Sequence, residues 1–140
     1  MIAEAFVDTN ILIYAAMGRH EAPDKHELAW DVIGAGRYGV SGQVLAEFFV
    51  NATKKTAKPL TLSEAAAWID RLSLLPVVPV DAELVSEAIR HSARYQISYW
   101  DAALIAGAER LEAPILYTED LNNGQSYGNV KVVNPFVEVA

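Results

Sequence analysis

Two spacings of apolar residues alternate along this chain. Short apolar runs at 2–7 (IAEAFV), 37–41 (RYGVS) and 115–118 (ILYT), with Val130–Val133 last, predict β-strands. Between them, apolar residues recur at helical intervals over 10–17, 24–35, 43–53, about 61–73, about 81–95 and 98–112. In the second of these helices Leu28, Ala29, Val32 and Ile33 share one stripe; in the third, Val44, Leu45, Phe48, Phe49 and Ala52 turn inward. Caps stand where the pattern needs them: Asp8, Thr9 or Asn10 before the first helix, Thr61 or Ser63 before the fourth, Asp81 before the fifth, Ser98 before the sixth. Gly34 and Gly36 end the second. The segment LLPVVPV at 74–80 is a short strand or extended link, because its prolines bar it from a central paired position. Asn122–Gly128 reads as a turn-rich loop.

Strands alternating with helices give an α/β fold with a mainly parallel sheet and helices on both faces. No internal repeat, low-complexity tract or linker interrupts the pattern, so residues 1–140 read as one domain. In such sheets, ligands gather at the carboxyl ends of the strands near a topological switch point.

Composition narrows the class. Hydrophobic residues are 52% and charged ones 21%, which favours a folded globule over a disordered chain. No apolar stretch approaches the roughly 20 residues that span a bilayer. Glu4 and Asp8 interrupt the first apolar run, and no basic segment precedes it, so it does not read as a signal peptide. The absence of cysteine excludes disulfides, thiolate metal sites and cysteine nucleophiles, and it fits a reducing cytoplasm. Eighteen acids against 11 Lys and Arg give a net charge of −7, which argues against a passive nucleic-acid coat. The same balance leaves room for an enzyme whose acids hold cations.

Four acids stand where water is scarce. Asp8 follows the first strand, and Asp120 follows the strand at 115–118, so both belong to the same edge of the sheet. Asp101 lies in the first turn of SYWDAALIAGAERL, with Leu104, Ile105 and Ala108 along its face, and Glu47 borders the buried stripe of QVLAEFFV. Each has a plain reading alone. Asp8 is a helix cap, Asp101 a first-turn acid favoured by the helix dipole, Asp120 a loop acid with Glu119 as competitor, and Glu47 a solvated helix edge. Together they raise a problem of repulsion, since like charges about 4 Å apart cost on the order of 4 kcal/mol at an effective dielectric near 20. No Lys or Arg stands beside any of them in sequence. Hard divalent cations relieve such repulsion, and oxygen-only ligands suit Mg²⁺ or Mn²⁺.

The motifs VDTNILIY, VLAEFF, SYWDAALIAGA and LYTEDLNNGQ, closing on VVNPF, occur in that order over the whole chain. In this the sequence resembles the PIN-domain family of metal-dependent ribonucleases, and within it the VapC-like toxins of type II toxin–antitoxin modules. The resemblance implies a three-layer α/β/α PIN-like fold with a mainly parallel central sheet. It implies that Asp8, Glu47, Asp101 and Asp120 are catalytic and bind Mg²⁺, with Mn²⁺ able to substitute, and that the activity is endoribonuclease. Asn10 and Thr118 are implied as supporting residues, Thr9 more weakly. The loop 121–128 varies in such proteins, so Asn122 and Gln125 receive no role. Partners implied are an RNA substrate, a cognate antitoxin whose arginine would suit the acidic site, and a second copy of the chain in a homodimer. The alternative is a PIN-like module that docks a partner protein with weak or no nuclease activity.

The remaining candidates are weaker. Lys54, Lys55 and Lys58 form one basic cluster, Arg90, His91 and Arg94 another, Arg19 and His20 a third; each would guide an RNA backbone or simply face water. His20, His26 and His91 lack metal-ligand spacing. Trp30, Trp68 and Trp100 read as core, with stacking on a base as the alternative for Trp100. One phosphatase group needs a second acid two residues after the first, where this chain has Asn10; a phospho-receiver needs adjacent acids and a late lysine.

Overall fold

A computed structural model describes residues 2–54 and 56–137. The elements in order are β1 (Ala5–Val7), α1 (Thr9–Met17), α2 (Pro23–Gly34), β2 (Tyr38–Ser41), α3 (Gly42–Lys54), α4 (Leu62–Leu72) and β3 (Val77–Val78). Then follow α5 (Ala82–Tyr95), α6 (Tyr99–Arg110), β4 (Ile115–Tyr117), β5 (Ser126–Tyr127) and β6 (Val130–Val133). The sheet order is β3-β2-β1-β4-β6-β5, parallel throughout except for the β5–β6 pair. Helices flank this sheet in three α/β/α layers, as the alternation of periods requires.

Helix α6 lies across β1, β2, β4 and β6, with α5 packed on it, while α1 packs on α2 and α3, and α3 on α4. Residues 102–108 of α6 are all buried, and the helix approaches β1 closely at Gly107. A Cβ there would stand 2.8 Å from Phe6 Cε2, so only glycine fits. Phe6, Val7, Ile11, Leu12, Phe48 and Ile105 are among the fully buried side chains of the core. No described helix is long and apolar enough to cross a membrane.

Capping follows the sequence. The Asp8 carboxylate accepts from Thr9 N, Asp81 from Leu84 N and Ser98 from Asp101 N, and Thr61 with Glu64 forms a reciprocal capping box. The edge strand β3 is confined to two residues between Pro76 and Pro79, and the Pro76 carbonyl still accepts from Val40 N.

Three expectations change. The loop expected over 122–128 contains β5, because Gly128, at a φ of 61°, supplies the first central position of a two-residue hairpin into β6. Trp30 is not core: it is 42% exposed and spends its indole N–H on the Ala15 carbonyl at 2.8 Å, beside half-buried Trp68. Trp100 is not core either, being 62% exposed with one edge on Tyr99. A helical stripe tells which residues share a face, not how far the neighbouring layer extends over it.

Candidate active site

The site begins where β1 stops. Asp8 N still donates to the Tyr117 carbonyl of β4 at 3.0 Å, and the chain then turns into α1. That geometry leaves the Asp8 side chain at the carboxyl edge of two adjacent central strands, only 5% exposed. Its Oδ1 accepts from Thr9 N at 2.7 Å. Its Oδ2 accepts from the Thr118 hydroxyl at 2.8 Å and from Asn10 Nδ2 at 3.3 Å.

Thr118, fully buried just past β4, serves two acids. While its hydroxyl donates to Asp8, the same oxygen accepts from Asp120 N at 3.1 Å and so sets the turn that carries Asp120. Asn10 Nδ2 spans the two carboxylates, donating to Asp8 Oδ2 and to Asp120 Oδ2, the latter at 3.2 Å. Glu47 approaches from α3. Its Oε2 lies 3.4 Å from the buried Thr9 hydroxyl, which is also 3.3 Å from the Val44 carbonyl. Gln43 Nε2 donates to Glu47 Oε1 at 2.8 Å.

Burial pushes the Asp8 carboxyl up to about 6, against the pull of the Thr118 and Thr9 donors, with the charges of Asp120 and Glu47 adding to the rise. Desolvation also raises Asp120, helped by the charges of Asp101 and Glu119 and opposed by Asn10. Both acids thus carry negative charge that their surroundings only partly offset.

A cleft of about 400 Å³ holds Asp8, Thr9, Asn10, Glu47 and Asp120 on its walls. Asp101 does not line it. That acid sits half-buried at the start of α6, near enough for its charge to act on Asp120. Among the described residues, no group of three or more His, Cys, Asp or Glu side chains is gathered to hold one ion. The tight pair is Asp8 with Asp120. Their oxygens, together with Asn10 Oδ1, suit a hard divalent cation: that Oδ1 is buried without a partner among the described residues, an acceptor that a hydrated ion would satisfy.

Glu119, the rival of Asp120, also lines the cleft but has its own cation. Lys25 Nζ lies 3.3 Å from Glu119 Oε2, and Tyr14 OH donates to Glu119 Oε1 at 3.0 Å. Neither Lys25 nor Tyr14 stood out in the sequence. No local signal marks a lysine whose partner lies 94 residues away.

The other sequence candidates scatter. Asn122 and Gln125 bond each other at 3.0 Å on the surface, away from the cleft walls. His91 is engaged by Glu109, and His26 Nδ1 by the Tyr14 carbonyl at 2.9 Å. Arg90 and Arg94 are exposed on α5. Lys55 lies outside the described residues. Arg19, His20 and Lys58, from two separate sequence clusters, meet on one hollow of about 510 Å³ that shares Ile13, Tyr14 and Thr56 with the acidic cleft.

Comparison with solved structures finds the same fold under divergent sequences. A toxin–antitoxin complex from Klebsiella pneumoniae superposes with a TM-score of 0.70 at 21% identity, over 94% of this chain and 97% of that one. The toxin VapC20 of Mycobacterium tuberculosis, described as cleaving the sarcin–ricin loop, gives 0.63 at 20% identity, over 83% and 91%. VapBC2 from Rickettsia felis, bound to a promoter DNA fragment, gives 0.62 at 20% identity, over 94% and 97%. At these identities the likeness establishes the fold. No curated protein matches the sequence. The model of one family, described as PIN domain, matches residues 5–123, which takes in β1, the cleft and all four sequence-predicted acids. The chain belongs to the PIN domain family.

Proposed function

We propose that this chain is a metal-dependent endoribonuclease and the toxin of a toxin–antitoxin pair, with residues 1–140 forming a single PIN domain. One observation carries the reading: Asp8 and Asp120, 112 positions apart in sequence (120 − 8), share the Asn10 amide in a cleft that also holds Glu47. The Klebsiella and Rickettsia structures are toxin–antitoxin assemblies and the Mycobacterium protein is an RNA-cleaving toxin, which supports the same assignment.

In this reading Asp8, Glu47 and Asp120 on the cleft walls would hold Mg²⁺ or Mn²⁺, with Asp101 as the fourth acid, adding its charge from the start of α6 beside the cleft. Bound there, the ion would polarise a water and steady the departing oxygen of a phosphodiester. The chain's own residues prepare the place. Thr118 and the Thr9 amide favour the ionised form of Asp8, whose carboxyl at about 6 is then deprotonated near neutral pH. Asn10 fixes the spacing of Asp8 and Asp120, and Thr9 orients Glu47. No Ser, Cys or Lys nucleophile is needed.

The partners follow from the same site. An antitoxin that inserts an arginine would neutralise the carboxylates and bar RNA. A homodimer in a reducing cytoplasm completes the proposal, the latter supported by the absence of cysteine.

The test incubates the purified protein with total cellular RNA in Mg²⁺, in Mn²⁺ and in EDTA, and maps the cut ends. Cleavage should require the ion and vanish in Asp8→Asn with the fold intact by circular dichroism. Undiminished cleavage by that variant overturns the assignment, and capture of a partner without any cleavage favours the docking-module alternative.

A further inference from the structure

The turn after β4 presents two consecutive carboxylates, Glu119 and Asp120, to one cleft. Both cannot serve alike. A cation site gains from ligands of fixed number, and a surplus carboxylate beside it repels those already there.

Glu119 is held by two groups from other parts of the chain, and a third braces them. Tyr14 of α1 donates its hydroxyl to Oε1 at 3.0 Å. Lys25 of α2 takes Oε2 at 3.3 Å and reaches the Tyr14 hydroxyl at 3.3 Å. Phe136, from the C-terminal NPF segment, packs edge-on against Tyr14 with ring centres 5.0 Å apart. The Lys25 ammonium rests over both rings, 4.9 Å from Tyr14 and 5.5 Å from Phe136. Both ends of the Lys25–Glu119 pair are about a quarter exposed, so the contact is shielded yet not sealed. Both carboxylate oxygens of Glu119 are therefore spoken for, one by each donor, whereas Asp120 Oδ2 meets the neutral Asn10 amide and no cation among the described residues.

We propose that Lys25, Tyr14 and Phe136 form a latch that makes Glu119 a positioning residue, withholding its carboxylate from the cation and leaving Asp120 as that turn's ligand. The inference rests on the nuclease reading and deepens it. The latch acts through Glu119: it neutralises a charge that would otherwise load the cleft and pins the turn so that Asp120 faces Asn10. It also ties the C-terminal segment to the active centre, since Phe136 forms part of the bed on which the lysine rests.

The test compares wild type, Lys25→Met, Lys25→Arg, Tyr14→Phe and the double variant Lys25→Met/Glu119→Gln. Each is measured for Mn²⁺ affinity by titration calorimetry and for kcat and KM on a short oligoribonucleotide. Releasing Glu119 in Lys25→Met should change the Mn²⁺ dissociation constant and lower kcat, each about 10-fold, with KM held within about 2-fold. Adding Glu119→Gln should restore both toward wild type, because the intruding charge is gone. Lys25→Arg should behave as wild type, and Tyr14→Phe should show part of the Lys25→Met effect. A merely structural lysine would give no rescue by Glu119→Gln. A lysine that touches RNA would raise KM instead.

Lys25→Met indistinguishable from wild type, or a double variant as impaired as the single, overturns the latch. Normal Mn²⁺ isotherms in a wild-type protein that cleaves nothing strike the nuclease reading and leave the isotherms to decide the latch. Absence of Mn²⁺ binding in wild type overturns both. Should Lys25→Met fail to fold, Tyr14→Phe with and without Glu119→Gln decides the matter by the same isotherms.

Discussion

The Thr118 hydroxyl donates to Asp8 Oδ2 at 2.8 Å and accepts from Asp120 N at 3.1 Å, so one buried oxygen sets both the charge and the spacing of the pair. Thr118→Val keeps the shape and removes the hydrogen bonds. Losing a donor to a buried carboxylate should cost about 2 kcal/mol of stability at neutral pH. RNA cleavage should fall about 10-fold or more, as happens when groups orienting a metal ligand are lost. Thr118→Ser should retain most of both. Chemical denaturation and a cleavage assay on the three proteins check the order.

The same residue shows what the sequence could and could not reveal. Thr118 and Asp8 are 110 positions apart, and nothing near either predicts their contact, although each was visible as the end of a strand. Local signals transferred well. Asp81, Ser98 and Thr61 cap helices as their spacing implies, because a cap is decided within one turn. The prolines around Val77 and Val78 barred a central strand for the same reason. Of the two readings left open, short strand or extended link, the structure shows the strand, at the sheet's edge. Long-range features did not transfer: the Lys25–Glu119 pair, the exposed faces of Trp30 and Trp100, and Asp101 standing outside the cleft walls all depend on where one layer ends over another.

Protons and stability are linked through Asp8. Its carboxyl titrates at about 6 in the folded chain, against an ordinary 3.8, so folding favours the protonated form. The stabilisation is fully present below about pH 4 and is lost as pH rises through about 6; at about 1.4 kcal/mol per pH unit it amounts to about 3 kcal/mol. Wild type without divalent ions should therefore gain stability on acidification from pH 7.5 to 5. Asp8→Asn, which cannot titrate, should lack this part of the slope. Melting curves across that range test it.

Divalent cations should act in the opposite sense. Binding to the ionised carboxylates stabilises the folded state by mass action, and protons compete with it. Adding Mg²⁺ at one hundred times its dissociation constant should stabilise wild type by about 2.7 kcal/mol at pH 7.5. The gain should shrink at pH 5 and be lost in Asp8→Asn. Differential scanning calorimetry with Mg²⁺ and with EDTA measures both arms.

Arg19 and Lys58 meet on a hollow that adjoins the acidic cleft, offering two cations to an RNA backbone passing through it. Alanine at both positions should raise KM for RNA while kcat holds. Losing two phosphate contacts on a single strand should flatten the salt dependence by about 1.4 in log–log slope. Filter binding with cleavage-silent Asp8→Asn as the background gives that slope directly.

Packing between layers is tested at Gly107. Alanine would bring a Cβ within 2.8 Å of Phe6 Cε2 and force α6 away from β1. Overpacking of this kind costs about 1–3 kcal/mol, which for a chain of this size lowers the melting temperature by about 5 °C. Because α6 carries Asp101, cation affinity should fall with it.

The two prolines bracketing β3 also decide how this molecule can meet another. A strand arriving at that margin finds two residues of pairing surface and then rings without amide hydrogens, so the sheet cannot be extended from one molecule into the next there. That border is thereby guarded against edge-to-edge pairing with a neighbouring sheet, the route by which an exposed strand seeds aggregation.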